Sequence, residues 1–150
     1  MATSVGLRSR ARVVGALVAI TGVGILHGTA DGLLADGVPL TALRLGTMML
    51  MLSACVVLVG LILHDMGRSG WGMPVVQLGA VGVVLAVLPL LVAAVVALRA
   101  DTQLAPALFL CGLVASLAVF LMALVGQTKA EVDRERRLAR LGRPPPGAGR

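Results

Sequence analysis

Tyrosine is absent from this chain, and Trp71, Phe109 and Phe120 are its only aromatic side chains. A net charge of +6 therefore does not read as a nucleic-acid surface, because single strands are held by bases stacked on aromatics along a basic groove. Charge itself is scarce. Asp, Glu, Lys and Arg make up 13% of the chain, about half the share usual in soluble domains. The middle of every long apolar run lacks them altogether, which argues against the ion-coupled transporters and proton pumps that place an ionisable group near the midplane.

Catalytic signatures are missing as well. The sequence contains no HExxH, no GxSxG and no phosphate-binding loop, and Ser4, Ser9, Ser53, Ser69 and Ser116 have no base at a telling spacing. No enzymatic activity and no cofactor is expected. Cys55 and Cys111 both lie inside apolar runs, at depths of roughly 22 Å and roughly 10 Å from the outer ends of their spans at 1.5 Å per residue. That offset disfavours a bridge, since paired Cα atoms must lie within about 7 Å. Both are expected to be small buried hydrophobes.

What the chain has in abundance is apolar length: 58% of it is hydrophobic. From Leu104 to Gly126, 23 residues pass without an acidic or basic side chain, and a strongly charged segment from Lys129 to Arg143 follows at once. About 20 such residues span the roughly 30 Å of bilayer hydrocarbon, and the charged segment cannot enter it. Three further runs are read as spans, giving membrane segments at about 13–30, 39–63, 75–98 and 104–126. The expected architecture is an all-α integral membrane protein, a four-transmembrane-helix bundle with a charged cytoplasmic helical C-terminal extension. A basic N-terminus (1–12) precedes the bundle (13–126); a charged helix (127–142) and a disordered Pro/Gly tail (143–150) follow it.

Eleven of the thirteen Arg and Lys residues fall on one side in this arrangement, with only Arg44 and Arg99 on the other. The positive-inside rule then places both termini in the cytoplasm. Arg outnumbers Lys twelve to one, a composition that fits a GC-rich bacterial genome and hence the bacterial cell membrane. Residues 1–30 could also serve as a cleaved signal peptide, with a basic start, an apolar stretch to Leu26 and small Gly28 and Ala30 before a cut. Gly24 and Gly28 in GxxxG register, continued by Gly32, instead suggest a retained helix that packs. Similar small-residue registers occur at Gly82 with Ala86, Ala93 with Ala97, and Gly112 with Ser116.

The turns are read as DGLLADGV (31–38) outside, HDMGRSGWGM (64–73) inside and Arg99 to Gln103 outside, with Pro74 opening the third span and a kink at Pro89. Polar groups of possible consequence are few. His27 and Asp31 share a helical face near the outer end of the first span, and Asp31 or Asp36 could pair with Arg44. Imidazole titrates near neutral pH, so this cluster is either a gate or an anchor that orients the helices; the anchor is the favoured reading. Met48, Met51 and Cys55 share a face with soft donors that suit Cu(I), but methionine more often fills gaps between helices, and no metal is expected. Arg134, Arg136, Arg137 and Arg140 are candidate contacts for anionic lipid or an acidic partner, although Glu131, Asp133 and Glu135 dilute the basic run.

Two functions fit these features. The first is a non-enzymatic accessory or scaffold subunit of a membrane complex, in contact with the lipid bilayer and a membrane-protein partner or further copies of itself. The other is an oligomeric pore or small-solute transporter with His27 and Arg44 at its outer entrance. Both require the same topology, so a reporter fused after Arg150 should be active when it is one that works only in the cytoplasm and silent when it requires export. The reverse pattern would reject all four assigned orientations.

Overall fold

The computed structural model describes residues 2–34, 37–66, 69–100 and 104–140. They form four helices, α1 (Ala2–Leu33), α2 (Val38–Asp65), α3 (Ser69–Ala100) and α4 (Leu104–Arg140). Each holds a stretch long and apolar enough to cross a membrane, within Arg10–Ala30, Val38–Asp65, Trp71–Arg99 and Ala105–Arg140. An apolar solvent offers nothing to backbone N–H and C=O groups, so long apolar segments satisfy them within one helix. The prolines respect this: Pro39 sits in the first turn of α2, where no intrahelical donor is required. Pro74 and Pro89 are accommodated inside α3, which continues past both.

The helices alternate in direction and neighbour one another in the order α1, α2, α3, α4 and back to α1. α2 also touches α4 across the diagonal, whereas α1 and α3 do not meet. The most extensive interface is that of α2 with α3, and its closeness comes from side chains that are missing. A Cβ added at Gly60 would lie 2.7 Å from the Val76 amide nitrogen, one at Gly72 2.8 Å from the His64 Cα, and one at Gly79 2.9 Å from the Val57 amide nitrogen. Backbone therefore rests almost directly on backbone. Gly46, Ser53 and Gly60 on α2 recur at sevenfold spacing, as do Gly72, Gly79, Ala86 and Ala93 on α3. That period keeps a seam facing its partner along two closely aligned helices. In an apolar medium such intimate van der Waals packing is a main source of association.

Around this seam Leu43, Leu50, Val83, Leu110, Val114 and Leu121 are fully buried and fill the centre. The exterior is equally apolar: Leu52, Leu78, Leu88 and Val119 are each at least 60% exposed, at 69%, 66%, 60% and 70%. Helices that are hydrophobic all round suit hydrocarbon rather than water as the surrounding medium, and the fold is compatible with a multi-pass membrane protein.

Several sequence expectations require correction. The glycines expected to pack, Gly24, Gly28 and Gly32, have nothing within 4 Å of a would-be Cβ, and the same holds for Gly112. Spacing by four says that a helix has a smooth face, not that a neighbour lies against it. The segment 64–73 is not a ten-residue loop: α2 runs to Asp65 and α3 already begins at Ser69. Gly72 lets the first turn of α3 lie against His64, so no longer connection is needed. The N-terminal segment is helical from Ala2, continuous with the first span. Cys55 is exposed rather than buried, while Cys111 is half-buried with its thiol 3.7 Å from the Leu90 carbonyl oxygen. The turn at 101–103, Arg68 and the tail at 143–150 lie outside the described residues.

The contrast between the two sets of glycines can be measured by unfolding in mixed micelles. Gly79→Val should destabilise the bundle by about 1–3 kcal/mol or more through overpacking. Gly24→Ala should be neutral, or stabilising by up to about 1 kcal/mol through helix propensity alone.

Candidate functional site

Polar side chains within the bundle are nearly all satisfied locally. The hydroxyls of Thr21, Thr29, Thr41, Thr47, Ser53, Ser116 and Thr128 each donate to a carbonyl three or four residues back in the chain, as in Thr21 to Leu17, Ser53 to Met49 and Thr128 to Leu124. Such back-bonding hides a hydroxyl where no water can solvate it, and none of these oxygens is presented to a base as a nucleophile.

Thr47 is the exception in reach. It is 1% exposed, and its hydroxyl lies 3.0 Å from the Leu43 carbonyl oxygen and 2.9 Å from that of Arg44, while His27 Nδ1 stands 2.8 Å from the same oxygen. Imidazole and hydroxyl share one hydrogen bond, whose donor follows from the imidazole tautomer. The contact joins α1 to α2 near the end of the bundle where those two helices connect.

Of the cluster expected from sequence, His27 is thus placed, but against Thr47. Arg44 is half-buried, on the turn of α2 before Thr47, and is engaged in an interaction of its own. Asp36 and the side chain of Asp31 lie outside the described residues. Met48, Met51 and Cys55 do share a face, and all three are exposed on the outside of α2. Among the described residues, no group of three His, Cys, Asp or Glu side chains is close enough to hold a metal ion.

A second polar locus lies at the opposite end, where α1 starts and α4 finishes. Arg12 pairs with Glu131 at 2.5 Å, the two side chains being 14% and 31% exposed. Beside them, between α1 and α4, opens a groove of about 650 Å³ lined by Arg134 and Gln127 together with Phe120 and Leu124. Arg137 lies on an adjoining groove with Asp133, while Arg136 and Arg140 are exposed beyond both. The sequence reading singled out Arg134 but not Arg12, Glu131 or Thr47. The available signal was position: Arg12 is the last charge before the first apolar run and Glu131 the first acid after the fourth, and Thr47 follows Arg44 by one turn.

His64 completes the inventory, its Nδ1 buried without a hydrogen-bond partner at the close α2–α3 crossing. Comparison with protein-family models, curated proteins and solved structures returns no match. Among the described residues, the polar groups brought together between helices include the His27–Thr47 contact of α1 with α2 and the arginine-lined groove between α1 and α4.

The His27–Thr47 bond can be weighed by a double-mutant cycle of His27→Leu and Thr47→Val, read from unfolding in mixed micelles. A coupling of about 0.6 kcal/mol, and not above about 1.7, is expected for a side-chain hydrogen bond in a membrane bundle. Zero coupling would remove its role as the tie between the helices.

Proposed function

We propose that this chain is a multi-pass protein of the bacterial cell membrane with both termini in the cytoplasm, serving as a non-enzymatic accessory or scaffold subunit of a membrane complex. The observation that carries the reading is the length of α4. Its 37 residues measure about 55 Å at 1.5 Å per residue, against roughly 30 Å of hydrocarbon. The excess is the charged segment, and from Asp133 to Arg140 only Leu138 is half-buried. A rigid rod rooted in the bundle, carrying Arg136, Arg137 and Arg140 outward, is a docking element for an acidic surface of a membrane-protein partner.

Support also comes from the bundle centre. α2 and α4 touch across the diagonal and fully buried leucines and valines fill the centre, which supports a packed bundle over a path through the single chain. His27 hydrogen-bonded to Thr47 fits the anchor reading, because its Nδ1 holds a neighbouring helix. A pore or small-solute transporter would have to be assembled between copies, with His27 and Arg44 at its entrance.

Deleting residues 129–150 should leave insertion intact and abolish cross-linking to the native partner complex, read by in-cell cross-linking and native gels. An unchanged complex would remove the docking role of the rod. Purified chain in liposomes should leave the bilayer tight to small solutes; passage that His27→Leu blocks would instead establish the pore.

A further inference from the structure

The groove at the Arg12–Glu131 pair has a neighbour on the same seam. A second, wholly apolar cleft of about 320 Å³ lies on the same pair of helices, lined by Gly22 on α1 and by Leu113, Ser116 and Leu117 on α4. The two cavities share one stripe of α4: Leu113, Phe120, Gln127 and Arg134 are spaced by sevens, and Leu117, Leu124 and Glu131 run beside them. On α1 the corresponding stripe passes through Arg12, Gly15 and Gly22; Leu124 and Phe120 pack over Gly15 and Leu117 over Gly22. The α1–α4 seam is thus a furrow in two parts, a groove with a charged lip and, beyond Phe120 and Leu117, a separate apolar cleft.

Its dimensions match one leaflet. From Arg12 to Gly22 is ten residues, about 15 Å of helix at 1.5 Å per residue, which is half of the roughly 30 Å hydrocarbon thickness. The lip stands where the apolar spans give way to charge, at the level of lipid phosphates. Its charge is net positive, because Glu131 is paired with Arg12 and Arg134 has no ion-pair partner among the described residues. A guanidinium offers several N–H donors in a fork suited to phosphate oxygens.

We propose that the α1–α4 seam binds an anionic phospholipid, its phosphate at Arg134 and Arg12 and one acyl chain laid along Phe120 and Leu124 toward Gly22 and Leu117. The lipid fills the weakest of the contacts between neighbouring helices and completes the bundle surface there. Gln127 supplies a further donor at the lip. The site is independent of the scaffold reading, since the lip meets a leaflet surface whichever side the termini occupy and whatever the charged rod docks to.

The test uses the full chain, delipidated in detergent and examined by native mass spectrometry after adding phosphatidylglycerol or phosphatidylcholine of identical chains. Phosphatidylglycerol should be retained as a single tight adduct and phosphatidylcholine lost. Arg134→Gln should weaken retention about fivefold, the effect of one basic side chain at an anionic membrane surface, while Arg136→Gln, an equal change of charge outside the furrow, should leave it unchanged. Ser116→Trp should fill the apolar cleft and weaken retention without altering charge, with circular dichroism confirming an intact fold; if that variant misfolds, the arginine pair decides alone. Equal retention of the two lipids, equal loss in the two arginine variants, or displacement by millimolar inorganic phosphate would each overturn the proposal. A dimer appearing as lipid is stripped, with the furrow closed to it, would overturn it too, because the occupant would then be a second copy.

Discussion

The close approach of α2 and α3 is the contact on which the rest of the bundle depends. Large side chains would hold two helix axes apart and leave each backbone surrounded by its own residues; here Gly60, Gly72 and Gly79 let the partner's main chain and Val57 or Val76 occupy that space. In a medium as apolar as leucine itself, no gain comes from hiding hydrophobic surface, so attraction must come from the number of atoms brought into contact. α1 and α4 then pack around this pair with ordinary side-chain contacts. The result is a bundle stiff on one side and looser on the other.

That asymmetry distributes the polar groups. Where packing is tightest, Ser53 keeps its hydroxyl on the Met49 carbonyl and contributes no bond across the seam. Beside the Cys111 thiol near the Leu90 carbonyl, two side-chain ties between helices involve α1: His27 to Thr47 at one end, Arg12 to Glu131 at the other. α1 is the least apolar of the four spans and has no contact with α3. Specific polar contacts at its two ends therefore add to the packing of Ala16, Ala19, Val23 and Ala30, all fully buried, in setting its position.

Much of this was legible in the sequence because it follows from solvent. The uncharged run Leu104 to Gly126 and its charged sequel mark a long helix in any apolar environment, and the other three spans follow from the same rule. Partner choice was not legible in the same way. Gly24 and Gly28 carry the familiar spacing and face open space, while Gly60, Gly72 and Gly79, which make the closest approach, belong to two separate sevenfold series, one on α2 and one on α3. Glycine content reports where a neighbour could fit; only the three-dimensional path of the second helix decides whether one is there. Thr47 illustrates the same limit: as a lone hydroxyl in an apolar helix it is satisfied by its own backbone, and nothing local reveals that an imidazole twenty residues earlier arrives at 2.8 Å.

Because α1 begins and α4 finishes at the same end of the bundle, joined there by Arg12 and Glu131, tension applied through the two chain ends falls first on the outer pair. Those helices would be stripped away like the halves of a zip, one turn at a time, with the grooves between them giving the pull an easy start. The central hairpin, joined by a three-residue link and interlocked main chain to main chain, would be reached only after them and yield last. The molecule thus has a built-in order of mechanical failure, and its most durable unit is the one farthest from either terminus.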